Sequence, residues 1–207
     1  MAPNITIYSD YICPFCLIGK ERADRLEKNF GIEVEWKGLE IHPETPPEGS
    51  DLSSLGLDED RVAALRSRVL EMAQESGLKL EFRSRISNSR LALQVAEFAK
   101  GKGRFKEYHD AVFRAYWQES HDIGDRNQLL SIAVRAGLDI QELKSYLESD
   151  LSAASLDQSL EEAMRYGISG VPTFIIGNKK VVGAQPYEVL EGILRQELSG
   201  DSGKKNA

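Results

Sequence analysis

Tyr8-Ser9-Asp10-Tyr11-Ile12-Cys13-Pro14-Phe15-Cys16-Leu17-Ile18-Gly19-Lys20 carries both cysteines of the chain, and its surroundings decide the fold. Upstream, Ile5, Ile7 and Tyr8 with β-favouring Thr6 predict a short buried strand over 4–9. Downstream, Leu17, Ile18, Ala23, Leu26 and Phe30 supply an inner face for a helix from about 13 to 30. Pro14 falls in the first turn of that helix, where a missing N–H costs nothing, and Gly31 is its stop. Ile32-Glu33-Val34-Glu35-Trp36 then alternates, which predicts a half-buried strand over 32–39 with Glu33 and Glu35 on the solvated face. Strand, helix and strand in this order give a parallel pair joined by a helical crossover. The cysteine pair stands at the junction of the first strand and the helix.

Two cysteines cannot build a disulfide framework. A bridge between Cys13 and Cys16 closes a four-residue loop, and the entropic gain is only about 2 kcal/mol. Structural zinc needs four ligands. The chain offers two thiols and three scattered histidines, His42, His109 and His121, so no metal site is expected and the histidines receive no role. A redox pair remains. The thiolate is the reactive form, and a helix N-terminus favours an anion. Cys13 is therefore the expected attacking nucleophile, with a lowered pKa. Cys16, one turn on, is the resolving thiol. Pro14 and Phe15 place neither charge nor hydrogen-bonding side chain between them, so nothing here promises a strongly oxidising pair. Asp10 reads first as a cap for the helix and second as a carboxylate that shuttles protons to Cys16.

The chain has 207 residues, 41% hydrophobic and 29% charged, a globular composition. With 26 basic against 33 acidic residues the net charge is −7, which argues against a nucleic-acid-binding surface. No apolar run is long enough for a transmembrane helix, so no membrane partner is expected. The N-terminus shows no basic and apolar leader pattern, and a cytoplasmic location is the expectation. Residues 42–57 read as a loop broken by Pro43, Pro46, Pro47, Gly49 and Gly56. From 58 to 167 the pattern is helical throughout, five or six helices with capping signals at Asp125 and Asp139. The aromatic residues Phe105, Tyr108, Phe113, Tyr116 and Trp117 read as its core rather than as a peptide groove. Gly170-Val171-Pro172-Thr173-Phe174-Ile175-Ile176 predicts a strand, Gly177-Asn178 a turn and Lys179-Lys180-Val181-Val182 its hairpin partner. A closing helix over 186–198 turns Val189, Leu190, Ile193, Leu194 and Leu198 inward, and 199–207 reads as a flexible tail. Residues 1–57 and 168–198 thus form one discontinuous α/β domain, with 58–167 inserted into it. No P-loop, dinucleotide fingerprint, nucleophile elbow or metalloprotease motif occurs.

The cysteine stretch, Gly170-Val171-Pro172-Thr173-Phe174 and Gly183-Ala184-Gln185-Pro186, in this order, resemble the DsbA family of thioredoxin-fold oxidoreductases and within it the FrnE-like subfamily. The resemblance implies a thioredoxin fold with a large inserted all-helical domain. It implies thiol–disulfide exchange with protein or small-molecule substrates, glutathione among them, and no cofactor. It also implies a cis Val171–Pro172 bond facing the cysteines, with Val171 backbone groups free to pair with an extended substrate. An ordinary trans proline at a strand edge is the plainer reading. Thr173 and Asn88 become candidate substrate contacts, and Asn88 as a simple cap or loop residue stands beside that. Two other functions stay open. The 2-hydroxychromene-2-carboxylate isomerases and kappa-class glutathione transferases share the architecture and typically carry serine where Cys13 stands. A non-catalytic module that binds a polypeptide between the domains is the other, with metal sensing through the two cysteines more remote. The direction of electron flow, the physiological substrate and the choice between monomer and dimer are not written in these residues.

Overall fold

A computed structural model describes residues 4–56 and 58–202. The first unit is β1 (Ile5–Ser9), α1 (Pro14–Phe30) and β2 (Val34–Gly38). β1 and β2 pair in parallel with Ile5 opposite Val34. After the helices of the insertion the chain returns as β5 (Thr173–Ile176) and β6 (Lys179–Val182). β5 lies antiparallel on the other side of β1, with Ile7 opposite Phe174, and β6 closes the hairpin. The sheet order is β2-β1-β5-β6, so β1, which leads directly into the cysteines, is central. Alternation gives the sheet two buried faces. Ile5, Ile7, Phe174 and Ile176 pack on Ala23 and Leu26 of α1 and on Leu190 and Leu194 of α8 (Tyr187–Ser202). Tyr8 packs on the opposite side with Leu39, Ala163 and Ile168.

The insertion contributes α2 (Glu59–Glu75), α3 (Arg90–Gly101), α4 (Phe105–Trp117), α5 (Arg126–Arg135), α6 (Ile140–Leu147) and α7 (Asp150–Arg165). The Asp125 carboxylate accepts N–H bonds from Asn127 and Gln128, and Asp139 does the same for Gln141 and Glu142, as the capping signals predicted. Among the described residues the largest apolar cluster runs through α3 to α7 and takes in Tyr11, Ile12, Cys13, Cys16 and Leu17. The cysteine loop, which follows directly on β1 of the sheet, is therefore packed into the core of the insertion.

The span 58–167 is not helical throughout. Arg85–Ile86 forms β4 and pairs antiparallel with β3 (Ser50–Asp51), inside the segment read as loop. Arg85 drives this: its guanidinium donates to the Glu48 and Gly49 carbonyls and pairs with Asp51. Gly49 has φ 76°, and a Cβ there would meet the Ile86 carbonyl oxygen at 2.5 Å, so only glycine allows the approach. At the other end α8 continues to Ser202, past the expected stop at 198. The Arg195–Glu191 pair and Ser199 Oγ donating to the Arg195 carbonyl keep the last turns wound. Residues 203–207 of the expected tail lie outside the described residues. Val189, expected inward, is 44% exposed, because the helix buries the stripe through Leu190 and Leu194. Glu33 and Glu35 are exposed on β2 and its approach, as the alternation predicted.

Candidate active site

Cys13 occupies the N-cap position of α1 with extended backbone (φ −87°, ψ 117°), and no side chain caps this helix. Its carbonyl accepts from the Cys16 and Leu17 N–H groups at 3.0 and 3.4 Å, and its own N–H reaches the Asp10 carbonyl at 3.2 Å. Pro14 takes the first helical position, where its missing N–H costs nothing. Cys13 Sγ lies 3.6 Å from the Val171 carbonyl oxygen. The Val171–Pro172 bond is cis. The Pro172 ring packs on α1 at Gly19, where an added Cβ would stand 3.2 Å from Pro172 Cγ. The late hairpin and the first helix are thus fitted together directly over the dithiol. Thr173, by contrast, is sealed in β5 with Oγ1 donating to the Gly170 carbonyl at 2.7 Å.

Both sulfurs are unbridged. Cys13 is 4% exposed and Cys16 is 0% exposed, and their surroundings differ. Cys16 Sγ accepts the Asp10 N–H at 3.5 Å. Burial, then the neighbouring Cys13, pushes the Cys16 thiol well above the ordinary range, so it stays protonated at neutral pH.

Asp10 does not cap α1. Its Oδ1 accepts the Ile12 N–H at 3.3 Å, and its Oδ2 accepts the Ile41 N–H at 2.9 Å and the Ser89 hydroxyl at 3.0 Å. The cap reading fails because the turn from Ser9 to Cys13 points this side chain into the interior, where it is fully buried. Loss of water raises the carboxyl from 3.8 to about 6, against the three hydrogen bonds that favour its charge. Asp10 so ties the cysteine loop, the segment after β2 and the start of α3 to one point. Asn88, beside Ser89, has its side chain committed to backbone groups. Its Nδ2 donates to the Thr45 carbonyl and its Oδ1 accepts the Arg90 N–H, an ordinary turn at the head of α3.

A second support comes from residues the sequence did not single out together. Tyr11 Oη and His109 Nδ1 lie 3.0 Å apart, and Trp117 Nε1 donates to the Tyr11 carbonyl at 2.8 Å. His109 is buried among Phe105, Trp36 and Phe113, and burial holds its pKa well below the usual range, so the ring is neutral. No local spacing marks this contact, since Tyr11 and His109 are 98 residues apart.

Cys13 opens onto an apolar groove of about 330 Å³. Ile12, Pro14 and Phe15 line it from the cysteine loop, and Ile41 from the segment after β2. Leu52, Leu55, Val62 and Leu65 come from the 3-10 turn at Leu52–Leu55 and from α2. Phe82, Tyr116 and Trp117 complete it, so two of the aromatic residues expected as helical core serve as core and groove wall at once. His42, Arg66, Arg83 and Arg85 are its polar members, and among the described residues no carboxylate lines it. Among the described residues no group of histidine, cysteine, aspartate or glutamate is arranged to hold a metal. Among the same residues no helix is long and apolar enough to cross a membrane.

The chain as a whole is similar to known proteins. The DSBA-like thioredoxin domain matches residues 4–195. The sequence is 33% identical over 203 residues to the uncharacterized protein YwbO of Bacillus subtilis, across 95% of this chain and 98% of that protein. It is 21% identical over 194 residues to a 2-hydroxychromene-2-carboxylate isomerase of Sphingobium xenophagum, across 94% of this chain and 99% of that enzyme. The crystal structure of a probable DsbA oxidoreductase from Streptomyces coelicolor matches with a TM-score of 0.86 at 27% identity, over 95% of this chain and 90% of that one. With a family match across nearly its whole length, over a thioredoxin-type sheet and its helical insertion, the chain belongs to the DSBA-like thioredoxin domain family.

Proposed function

We propose that the protein is a dithiol–disulfide oxidoreductase, with Cys13 as the attacking and Cys16 as the resolving sulfur. The observation that carries this reading is the unequal placement of two neighbouring thiols. One opens onto a groove, and the other is sealed behind it and kept protonated by burial. In the reducing direction the Cys13 thiolate attacks a substrate disulfide and expels one substrate thiolate, leaving a mixed disulfide on Cys13. Cys16 then loses its proton and attacks Cys13 Sγ, which forms the Cys13–Cys16 bond and expels the second substrate thiolate. The substrate gains two electrons and the dithiol loses them. Run backwards, the same steps oxidise a substrate dithiol. Asp10, whose N–H donates to Cys16 Sγ and whose carboxyl is raised by burial to about 6, is the residue we assign to help Cys16 lose its proton. The Val171 carbonyl beside Cys13 Sγ suits backbone pairing with an extended substrate. A cytoplasmic site of action, where glutathione is the abundant thiol, fits this reading.

Equilibration against glutathione buffers, with alkylation and mass detection, tests it. The expected product is an intramolecular disulfide without added mass. A chain that takes up one glutathione at Cys13 and never bridges overturns it. That result would promote a second reading, a glutathione-dependent isomerase, which the Sphingobium relative and the aromatic lining of the groove favour.

A further inference from the structure

The groove beside Cys13 is apolar in its walls and cationic at its polar positions, in a protein whose net charge is −7. Three guanidiniums line it, and they are not equivalent. Arg85 is committed to Asp51 and to the β3 segment. Arg66, on α2, stands 5.4 Å from the centre of the Phe82 ring, and Arg83 stands at the same distance from the Tyr116 ring while donating to the Ser120 carbonyl. Among the described residues neither Arg66 nor Arg83 has a carboxylate partner, although 33 acidic residues are present in the chain. Half-buried guanidiniums held over aromatic faces, and left without counter-ions, are arranged for an anion that arrives with an apolar body.

We infer that the groove selects, for the dithiol chemistry proposed above, small disulfides or thiols that join an aromatic or branched apolar body to a carboxylate, with Arg66 and Arg83 binding the carboxylate. The inference rests on that redox reading for its chemistry and on charge complementarity for its ligand class. The apolar body displaces water from the walls lined by Phe82, Tyr116 and Leu55. The carboxylate then meets the two guanidiniums at the rim while the sulfur faces Cys13. A ligand without the carboxylate leaves them unmatched. A ligand with a charge but no apolar body leaves the walls wet.

Two aromatic disulfides separate the elements of this inference: 5,5′-dithiobis(2-nitrobenzoate), which carries carboxylates, and 4,4′-dithiodipyridine, which carries none. With either reagent the Cys13 thiolate expels one arylthiolate, and Cys16 expels the second as it closes the intramolecular disulfide and releases its proton. The ratio of the two second-order rate constants cancels the intrinsic reactivity of Cys13. In the double variant Arg66→Gln, Arg83→Gln this ratio is expected to fall by about tenfold, on the scale of two partly exposed ion pairs. Arg66→Gln alone, which leaves the Ser120 contact intact, is expected to give about a threefold part of it. The double variant Arg126→Gln, Arg135→Gln, on α5 and outside the groove, loses the same total charge and is expected to keep the ratio of the parent. An unchanged ratio in the groove variants, or an equal fall in the α5 variant, overturns the inference. Release of one arylthiolate per chain with a persistent mixed disulfide overturns the dithiol reading instead, whatever the ratio.

Discussion

On the Cys13 side of the dithiol the walls are mostly apolar: Phe15, Leu55, Phe82, Tyr116 and Trp117 face a groove whose polar members are His42 and three arginines, with no carboxylate in its lining among the described residues. On the Cys16 side polar donors converge, with two backbone N–H groups and the Ser89 hydroxyl meeting on one buried carboxyl of Asp10. The two sulfurs are almost equally buried, so exposed area does not separate their roles. What separates them is the environment that burial creates. An apolar wall that ends in space for a ligand lets a substrate approach Cys13. Cys16 is sealed from substrate, and it accepts the backbone N–H of Asp10, the residue whose buried carboxyl gathers these donors. One loop of four residues, Asp10 to Cys13, links the two environments, and Tyr11 in that loop is fixed by His109 and Trp117 of the insertion.

The largest effect should come from removing the sealed sulfur. Cys16→Ser leaves Cys13 able to attack and nothing able to resolve, so steady disulfide turnover is expected to fall by roughly 10³-fold or more, the scale on which loss of one member of a catalytic unit is felt. The mixed disulfide with substrate should accumulate and be visible by mass. Turnover that survives the substitution would erase the distinction between the two sides and favour the glutathione-dependent reading.

The polar side has its own signature in pH. The Asp10 carboxyl titrates at about 6 in the fold against 3.8 for an ordinary one. Between these values the folded state binds more protons than the unfolded state, so stability falls as pH rises through the window and stays lower above it. The order of magnitude of that cost is about 3 kcal/mol above pH 6. Asp10→Asn removes the charge and keeps an acceptor for Ile41 and Ser89, while the bond from Ile12, the longest of the three, is lost at about 1 kcal/mol. Urea unfolding should find the variant more stable than the parent near pH 8 by about 1–2 kcal/mol and no more stable near pH 4. The same difference at both values would mean that Asp10 does not carry the titration. A slower resolution step at pH 7 in the same variant would connect the buried carboxyl to Cys16.

The apolar side should respond in affinity rather than in the resolution step. Phe82 is half-buried in the groove wall, with Arg66 over its ring and the Trp117 ring at its edge. Phe82→Ala is expected to raise KM for an aromatic disulfide about tenfold, on the order of 1.4 kcal/mol, with kcat little changed. A fall in kcat with KM unchanged would place Phe82 on the positioning side of the site instead.

How much of this was legible in the sequence follows the same division. The strand–helix–strand opening and the late hairpin were readable because each is set by local periodicity and by a glycine or proline at its end. Cys13 and Cys16 were readable because their spacing is itself local. Asp10 was misread as a cap because an aspartate in the turn ahead of a helix is a common capping signal, whereas the N-cap position belongs to Cys13 and the partners that claim Asp10, Ile41 and Ser89, are 31 and 79 residues away. The groove was invisible for the same reason. Its wall is assembled from the 3-10 turn at Leu52–Leu55, from α2, from the stretch around Phe82 and from the end of α4, and no one segment shows a pattern pointing to it. Tyr116 and Trp117 read as core because they are core on one side and groove on the other. β4 was missed because a two-residue strand has no period to detect.

Asn88 gives the smallest predicted effect and the most direct check on where the boundary between the two sides runs. It was a candidate substrate contact on resemblance, and it stands next to Ser89, which binds Asp10. Its own side chain is committed elsewhere, to the Thr45 carbonyl at 2.6 Å and the Arg90 N–H at 3.0 Å. If it serves only that turn, Asn88→Ala should cost about 1 kcal/mol of stability, the usual scale for a lost intramolecular hydrogen bond, and should move the rate of Cys13 with either aromatic disulfide by less than about twofold. Thermal unfolding and the arylthiolate assay measure the two quantities on the same sample. A rate loss larger than the stability loss explains would extend the substrate-contacting surface past the Asp10 hub to the head of α3. The polar side would then touch substrate as well as Cys16.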